Sequence, residues 1–506
     1  MITRRANRLA LLLVLVAVGV SAVLSNIIFD RIPHLEDEFA LLWQAEIMAD
    51  GQVSLPSPDV PASFMIPFVV DINGVRFGKY PPGWPAALSL GARLDEPWLV
   101  QALLSGFCVW LIYRLGQKTM TSRAGLLAAG LCVLSPIFLM QSSTLLAHMF
   151  ALLLTLGFLH TWLDLFILQP DERVPKGVLI AAGGGTLGLL ALTRPWTAIA
   201  VALPAFIHGV ILLVRRSRAG WRSVLMLGAV AGGIAVLLFL WQAVLSGDPF
   251  QDGYSLWWAY DRLGFGEGHG PLAGGHTLGA GWANTRFSLT IGLHDLYGWP
   301  YLSWLFLPVG LWALRKKPGT WLALAIFPVL VLLYLAYWTG AWLLGPRYYF
   351  EGLPGLLLAT AAGVDWLFEK AKRRPRPLPG KLGLMILLIM LVVGNVAFYL
   401  PQRLGGLVDL YGISNETLER FHTPDLESGL IIVHTPRWMP YANLSLLSYP
   451  FSESGMDVAL NQGRDVDEAL ALAYDENGLF VYHYYVDQPN VLYMQVFDHE
   501  TGDRTK

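Results

Sequence analysis

The sequence is short of charged residues. Only 14% of its 506 residues are Asp, Glu, Lys or Arg, and 55% are hydrophobic, whereas a soluble domain carries roughly 25% charged residues. A chain of this composition cannot bury its apolar residues in one water-soluble core. Its two cysteines, Cys108 and Cys132, both lie in apolar runs, which excludes a disulfide framework and a zinc-ligand spacing. There is no basic stripe, tandem repeat or low-complexity tract, so nothing indicates nucleic-acid binding.

Apolar runs of membrane-spanning length are abundant instead. Runs of about 20 residues with almost no charge recur along the chain, and each can cross the hydrocarbon layer of a bilayer. The first run resembles a signal sequence because "VSA" is a plausible cleavage site, but its length favours a retained anchor. We predict a polytopic α-helical membrane protein with about eleven spans, at residues 9–29, 97–116, 124–141, 145–168, 177–193, 196–214, 223–245, 299–314, 320–339, 352–369 and 382–400.

The cations of the connecting segments fall mainly on one side of these spans. Short loops on that side carry 21 of the 35 Lys and Arg residues, and such an excess marks the cytoplasmic face. The N-terminus is therefore predicted inside and the C-terminus outside the plasma membrane. Two long loops, 30–96 and 246–298, and the segment after residue 400 are then external.

The segment after the last span changes in composition. Charged residues return, and short β-like runs ("GLIIVH", "GLFVYHYYV", "VLYMQVF") surround a helical pattern, "DVDEALALAYDE". We predict a transmembrane catalytic region over residues 1–400, a connector over 401–422 and a small external α/β domain over 423–506.

An acidic cluster follows the first span, in "HLEDEFALLWQAEIMADG". Apolar residues recur after it at i, i+4 and i+7, which predicts a short helix with Glu36, Asp37 and Glu38 in its first turn. The helix dipole favours carboxylates there. These acids are therefore either ordinary helix-start residues or part of a site on the external face.

Three cations are predicted at the same outer level. Lys79 precedes a stiff proline pair, Arg194 ends the fifth span, and Arg347 begins the tenth. Fixed cations at headgroup depth suit the phosphate of a lipid whose tail lies between the helices. The simpler interpretation of the two arginines is snorkelling at span ends.

Further residues at this level are candidates for accessory roles. A lone histidine in an apolar helix is usually a satisfied core residue, and external aromatics often belong to an interfacial belt. Their positions nevertheless allow contact with a sugar or a headgroup. These accessory candidates are Glu36, His148, Tyr348, Tyr349, Trp257 and Trp258, with Tyr254, Tyr260 and Trp282 as further aromatic candidates in the second external loop.

This combination of charges indicates group transfer from a lipid phosphate. Transfer of a sugar needs a base for the acceptor hydroxyl and positive charge for the departing phosphate. Asp37 or Glu38 can serve as the base, and Lys79, Arg194 and Arg347 can hold the phosphate. A nearby carboxylate can also bind a divalent cation, Mg or Mn, through oxygen ligands, and the sequence does not decide whether a metal is used.

The same segments resemble a known group. "LEDEFALLWQAEIM", "GKYPPGW", "LTRPW" and "GPRYYFEGLPGLLL" are similar to segments of the GT-C glycosyltransferases, in the branch of protein O-mannosyltransferases and lipid A aminoarabinose transferases. The resemblance implies a polyprenyl-phosphate-sugar donor, inverting displacement and an external active site. It implies Asp37 as the base, Glu38 as its companion, and Lys79 as the lysine that contacts the phosphate. Tyr80 departs from the pattern, because it separates Lys79 from the prolines.

Other functions stay open at this point. A lipid or polysaccharide transporter or flippase is one, although few acids lie at mid-depth in the spans. A non-catalytic family member within a membrane complex is another, and an enzyme with a lipid-pyrophosphate donor is a third. The sugar can be a hexose, a pentose or an amino sugar, and the acceptor a protein, a lipid or a glycan.

Overall fold

The computed structural model describes residues 2–168, 174–215, 220–372, 377–421 and 426–497. The start of the predicted C-terminal domain at residue 423 lies outside these ranges, as do parts of three predicted cytoplasmic loops (169–173, 216–219 and 373–376). The chain forms two compact units, which we describe separately. Unit 1 comprises Met1–Asn26, Pro81–Trp84 and Trp98–Gly406, and unit 2 comprises Ile27–Tyr80, Pro85–Pro97 and Leu407–Lys506.

Helices dominate the described residues, with two small sheets. A 3₁₀ helix at Arg347–Gly352, a π-helix at Asn395–Tyr399 and a 3₁₀ turn at Leu410–Gly412 complete the set. The α-helices are α1 (Ile2–Ile27), α2 (Glu36–Ala49), α3 (Gly83–Ala92), α4 (Pro97–Thr119), α5 (Ser122–Val133), α6 (Pro136–Ser143), α7 (His148–Phe166), α8 (Lys176–Thr193), α9 (Pro195–Val214), α10 (Trp221–Ala235), α11 (Leu237–Ser246), α12 (Gly253–Trp257), α13 (Leu278–Asp295), α14 (Leu307–Leu314), α15 (Thr320–Tyr334), α16 (Leu353–Lys372), α17 (Pro377–Gly394), α18 (Leu400–Gly405), α19 (Asn415–Glu419), α20 (Trp438–Ser445) and α21 (Arg464–Glu476). The strands are β1 (Leu55–Pro56), β2 (Val69–Ile72), β3 (Val75–Gly78), β4 (Gly429–His434), β5 (Met456–Leu460), β6 (Phe480–Tyr485) and β7 (Leu492–Met494).

Seven helices in the described ranges are long and apolar enough to cross a membrane. The pair α5 and α6 makes an eighth if the two helices, bent by 62°, form one span. The seven are Arg4–Ile27, Pro97–Thr119, His148–Phe166, Lys176–Thr193, Pro195–Val214, Trp221–Ser246 and Pro379–Glu419. These eight regions coincide with eight of the eleven predicted spans.

The other three predicted spans correspond to α14, α15 and α16. Helix α14 has 8 residues and α15 has 15, so each is shorter than the roughly 20 residues that a bilayer requires. Helix α16 is enclosed by its neighbours over most of its length. It packs closely on α14, since a Cβ at Gly310 would lie 1.7 Å from the carbonyl oxygen of Ala359.

Unit 2 begins with α2 and a three-stranded antiparallel sheet in the order β1-β3-β2. Helix α2 is predicted from the sequence as an amphipathic element, and it is found at Glu36–Ala49. Residues Phe39–Ala45 are all buried, so more of the helix is covered than a single apolar stripe requires. In the sheet, Val69 pairs with Gly78 at the end of the β2–β3 hairpin.

The second sheet of unit 2 has four strands in the order β5-β4-β6-β7. Strands β5, β4 and β6 are parallel, and β7 is antiparallel to β6. The predicted runs coincide with β4, β6 and β7, and the predicted helix coincides with α21. The core under α21 includes Leu430, Ile432 and Val481, and Phe64 from the loop between β1 and β2 packs against it.

A backbone contact also joins this sheet to the loop between β1 and β2. The carbonyl oxygen of Ser63 accepts hydrogen bonds from the backbone N–H of Leu460 (2.6 Å) and from the hydroxyl of Tyr441 (3.2 Å). The segment around Ser63 and Phe64 therefore packs on the core of the C-terminal sheet within unit 2. Hydropathy alone cannot predict this association, because the two segments are more than 300 residues apart in the chain.

Candidate functional site

The acidic residues at the start of α2 have different surroundings. Glu38 is buried, and its Oε2 accepts hydrogen bonds from the backbone N–H groups of His34 (3.2 Å) and Leu35 (3.1 Å). This is the reciprocal half of a capping box. Glu36 and Asp37 are half-buried. Glu38 thus fixes the first turn of α2 and, with it, the position of the neighbouring Asp37.

Asp37 has a side-chain partner that the sequence analysis did not include among the site residues. The hydroxyl of Tyr80 donates a hydrogen bond to Asp37 Oδ1. Tyr80 is the residue that separates Lys79 from the proline pair, and the sequence analysis treats it only as a departure from the family pattern. In the structure it links the acidic helix start to the lysine loop.

Lys79 occupies an aromatic environment in the same unit. Its backbone N–H donates to the carbonyl oxygen of Phe68 (3.0 Å), and its Nζ lies 3.4 Å from the centroid of the Phe68 ring. The ring of Tyr80 is 5.3 Å from the same ammonium. Only 5% of Lys79 is exposed. Cation–π contacts of this kind stabilise a desolvated ammonium, so Lys79 is held as a fixed cation beside the Tyr80–Asp37 pair.

Strand β3 delivers Lys79 to α2 through a close backbone approach. The buried side chain of Gln44 accepts a hydrogen bond from the backbone N–H of Gly78 (2.9 Å) and donates to the carbonyl oxygen of Val53 (3.1 Å). A Cβ at Gly78 would lie 3.0 Å from the carbonyl oxygen of Ala40. The glycine therefore permits the strand to contact the helix, and Gln44 fixes the register.

We expect the Gln44→Leu substitution to destabilise this arrangement. The change leaves the buried Gly78 N–H without its partner, at a cost of about 1–3 kcal/mol, and it removes the hydrogen bond to the carbonyl of the exposed Val53. Thermal unfolding of the purified protein should show a clear decrease in Tm. The matched control is Gln52→Leu, because Gln52 is exposed, and it should leave Tm unchanged. An unaltered Tm in Gln44→Leu would contradict the proposed clamp.

The candidates of unit 1 gather around Arg194, which lies between α8 and α9. Its Nη1 is 3.2 Å from His148 Nε2, and its Nη2 donates to the hydroxyl of Tyr334 (3.1 Å). Its Nε donates to Thr197 Oγ1 (3.2 Å) and lies 3.4 Å from Glu351 Oε1. Because arginine is only a donor, His148 Nε2 must accept. The proton of a neutral His148 is then on Nδ1, 3.7 Å from Glu351 Oε1.

Glu351 is the fully buried anion of this cluster. It lies in the 3₁₀ helix before α16, outside the candidate spans. Burial raises the pKa of Glu351 to about 7, and the positive charge of Arg194 opposes this shift. The sequence analysis does not include Glu351 among the site residues, although the motif "GPRYYFE" contains it. Because the carboxyl group of Glu351 is buried next to Arg194, it holds the guanidinium in place and partly compensates its charge.

The raised pKa of Glu351 has a consequence for stability. The folded state takes up the Glu351 proton more readily than the unfolded chain, so this group stabilises the fold fully below the ordinary pKa of 4.5 and the contribution is lost as pH rises through about 7. Over that pH window, we expect the Tm of the wild type to decrease relative to the Tm of Glu351→Gln. Differential scanning calorimetry from pH 4.5 to 8 measures it, and a constant difference would contradict the assignment.

The two tyrosines after Arg347 have different environments. The guanidinium carbon of Arg347 lies 5.7 Å from the centroid of the Tyr348 ring. Tyr348 stacks on Tyr334 with a centroid distance of 4.9 Å, which connects it to the Arg194 cluster. Tyr349 is buried against Phe327, at 6.0 Å. Tyr349 therefore has a packing role in the interior of unit 1, whereas Tyr348 lies beside the cations.

The aromatic residues of segment 246–298 in unit 1 form a continuous group with Trp338. Trp258 stacks on Tyr260 at 5.7 Å and lies 6.5 Å from Trp257. Tyr260 also contacts Trp338, with ring centroids 5.6 Å apart. The buried carboxylate of Asp261 accepts a hydrogen bond from the Trp338 indole, at 2.9 Å.

The same carboxylate connects this group to the cations. Asp261 Oδ1 accepts a second hydrogen bond, from the hydroxyl of Tyr337 at 2.8 Å, and Tyr337 contacts Tyr348 at 5.6 Å. The aromatics therefore continue to the Arg194 cluster. Trp282 is 62% exposed, as an interfacial belt residue would be.

Within the described residues, no three His, Cys, Asp or Glu side chains gather as metal ligands. Glu38, one of the two carboxylates adjacent in sequence to Asp37, is engaged with the backbone of its own helix start. We derive no chemical step through a divalent cation.

Comparison with known proteins places the fold. No family model and no curated protein sequence matches the chain. Among solved structures, ArnT from Cupriavidus metallidurans bound to undecaprenyl phosphate matches with a TM-score of 0.56 and 14% identity, over 94% of this chain and 89% of ArnT. The archaeal oligosaccharyltransferase AglB from Archaeoglobus fulgidus, in complex with an inhibitory peptide and a dolichol-phosphate, matches with a TM-score of 0.53 and 12% identity, over 86% of this chain and 63% of AglB.

The chain has the GT-C fold. The resemblance inferred from the sequence is confirmed at this level. An AglB structure in complex with Zn and sulfate also matches, with a TM-score of 0.53 and 12% identity over 93% of this chain and 67% of AglB. The GT-C fold agrees with the membrane-spanning helices found here. At 12–14% identity, these matches concern the fold and leave the role of each side chain to be argued from its own contacts.

Proposed function

We propose that the protein is a membrane glycosyltransferase that moves a sugar from a polyprenyl-phosphate donor to an acceptor hydroxyl on the extracytoplasmic face. The observation that carries the proposal is the Asp37–Tyr80–Lys79 cluster at the start of α2, in a chain with the GT-C fold. A positioned carboxylate and a buried, fixed ammonium meet the two needs of the reaction, a base and a cation for the phosphate.

The proposed reaction is a single inverting displacement. Asp37 takes the proton of the acceptor hydroxyl while the acceptor oxygen forms a bond to the anomeric carbon. The bond from that carbon to the phosphate oxygen breaks, and its electron pair leaves with the polyprenyl phosphate. Lys79 stabilises the charge that develops on the phosphate. Glu38 supports Asp37 by fixing the helix start, and Tyr80 fixes the carboxylate itself.

Arg194 and Arg347 are proposed as further phosphate ligands in this scheme. Arg194 is held by four side chains, so binding would cost it little conformational entropy. The aromatic group around Trp258 and Trp338 would supply ring faces for the sugar, an apolar surface that a ring with axial C–H bonds can contact. The sugar and the acceptor stay open, as does dependence on Mg or Mn, which activity after chelation with EDTA tests.

The proposed topology is that of the sequence analysis. The N-terminus is inside, the C-terminal domain (423–506) is outside, and the segments 299–314, 320–339 and 352–369 complete the eleven spans, the first two with the non-helical residues that flank α14 and α15. Labelling of single cysteines with a membrane-impermeant maleimide in intact cells tests this orientation. A cysteine at exposed position 59 should react, and one at exposed position 316 should not.

Lys79→Ala should weaken binding of the donor lipid. Undecaprenyl phosphate is the probe, and native mass spectrometry of the protein measures the bound fraction. We expect the lipid adduct to decrease at least tenfold, because a charge-assisted contact to phosphate is removed. The exposed Lys316→Ala is the matched control and should keep the adduct. Equal adducts in both variants would remove Lys79 from the phosphate site.

A further inference from the structure

A cavity lies in unit 2, at the carboxyl end of the C-terminal sheet. It encloses about 780 Å³, within the range of small-molecule sites. The strand order places β4 between β5 and β6. The chain therefore continues from β4 to β5 on one side of it and then crosses to β6 on the other side. In open α/β sheets, ligands bind at such a switch point, outside the carboxyl ends of the strands. His434 and Tyr485, the last residues of β4 and β6, are register partners there.

One wall of this crevice is a chain of hydrogen bonds with a defined direction. His483 Nε2 lies 2.8 Å from Gln495 Oε1, and His483 Nδ1 lies 2.9 Å from His434 Nε2. Because the amide oxygen only accepts, His483 donates to Gln495 and accepts from His434. His434 Nδ1 is then left as an acceptor. Burial, and secondarily the neighbouring His483, lowers the pKa of His434, in agreement with a neutral imidazole.

The opposite wall is the first turn of α21. Arg464 and Glu468 form an ion pair at 2.7 Å, and both side chains line the cavity. The buried Asp467 accepts hydrogen bonds from the Asn461 side chain and from the backbone N–H of Gln462 (3.0 Å). Asp467 therefore holds the loop after β5. The other charged side chains of this wall, Arg464 and Glu468, present one guanidinium beside one carboxylate.

Two tyrosines supply the apolar part of the crevice. Tyr485 stacks on His434 with a centroid distance of 4.2 Å, and its edge meets Tyr493 at 5.8 Å. The hydroxyl of Tyr493 donates to Gln488 Oε1 at 2.7 Å, and 46% of Tyr493 is exposed. The crevice therefore offers the ring surface of the two tyrosines next to polar side chains with planar groups.

We propose that this crevice binds a neutral carbohydrate. The balanced pair of Arg464 and Glu468 disfavours a strongly anionic ligand such as a phosphate, because it supplies no net positive charge. A guanidinium, a carboxylate and an imidazole acceptor can each bond hydroxyl groups, while the Tyr485 and Tyr493 rings can contact the C–H face of a sugar ring. The inference rests on unit 2 alone and is independent of the transfer reaction proposed above.

The test measures sugar binding by the full-length protein in lipid nanodiscs, since many detergents carry sugar headgroups. The probes are a neutral hexose trisaccharide and a trisaccharide of N-acetylated amino sugars, with saturation-transfer NMR and calorimetry as readouts. We expect at least one probe to bind, and Tyr493→Ala and Arg464→Ala each to weaken its binding at least tenfold. The exposed Arg93→Ala, in the same unit, should bind as the wild type does.

Three results would overturn the proposal. One is the absence of binding of both trisaccharides by the wild type at millimolar concentration. Another is binding that neither Tyr493→Ala nor Arg464→Ala alters. The third is binding of an unglycosylated peptide at this crevice in preference to both sugars. Tyr493→Phe is the control for misfolding of Tyr493→Ala. It keeps the aromatic ring and should therefore retain most of the affinity for the sugar.

Discussion

The Asp37→Asn variant should be folded and inactive. Asparagine keeps the size of the side chain and can still accept a hydrogen bond from Tyr80, but it cannot take a proton at neutral pH. Loss of a general base lowers kcat by about 10²–10⁴-fold. The assay follows release of polyprenyl phosphate in proteoliposomes, and native mass spectrometry checks that the donor lipid still binds. Loss of turnover with retained binding would assign Asp37 to the chemical step.

Two companion variants make this result specific. Asp59→Asn removes an exposed carboxylate from the same unit and should keep full activity. Tyr80→Phe removes the hydrogen bond to Asp37 Oδ1 but leaves the base, so we expect a smaller decrease in kcat with little change in KM. Wild-type turnover in Asp37→Asn would contradict the role of Asp37.

The second large effect is expected at the Arg194–Glu351 pair. Arg194→Ala leaves the fully buried Glu351 without its cation, and breaking a buried pair in this way costs about 3–5 kcal/mol. We expect a marked loss of Tm and of activity in this variant. Those losses alone do not separate a structural role from phosphate binding, because an unstable protein is also inactive.

The double variant Arg194→Met with Glu351→Met separates the two roles. Replacing both partners of a buried ion pair by apolar residues is often neutral or stabilising, so Tm should recover towards that of the wild type. Turnover should stay absent if Arg194 holds the donor phosphate. A double variant that is both stable and active would assign Arg194 to structure only and would remove it from the site.

Much of the membrane region can be predicted from hydropathy. Eight of the eleven predicted spans correspond to helices of sufficient length or to the bent pair, since a run of 20 apolar residues has few alternatives in a chain this apolar. Length failed as a guide at α14 and α15, because residues 299–306 of the predicted span 299–314 and residues 335–339 of the predicted span 320–339 form turns and bends instead of helix. The helix α13 lies within a segment described from the sequence only as a loop, because its apolar residues have no helical period.

The candidate site is predicted in part for a similar reason. The acidic helix start and the lysine loop are local patterns, and α2 and β3 follow them closely. Tyr80 and Glu351 could not be singled out, because their importance arises from partners 43 and 157 residues away along the chain. Glu38 reads as catalytic in the sequence, and its hydrogen bonds to two backbone N–H groups give it a capping role. A neighbouring carboxylate can have either role, and only the folded backbone distinguishes them.

The most direct test of the central claim is a structure of the protein in nanodiscs with undecaprenyl phosphate bound. The account predicts density for the phosphate within hydrogen-bonding distance of Lys79 Nζ, with the Asp37 carboxylate facing the same cavity. Phosphate density at the middle of the membrane, far from Lys79 and Asp37, would contradict the account and would favour lipid transport.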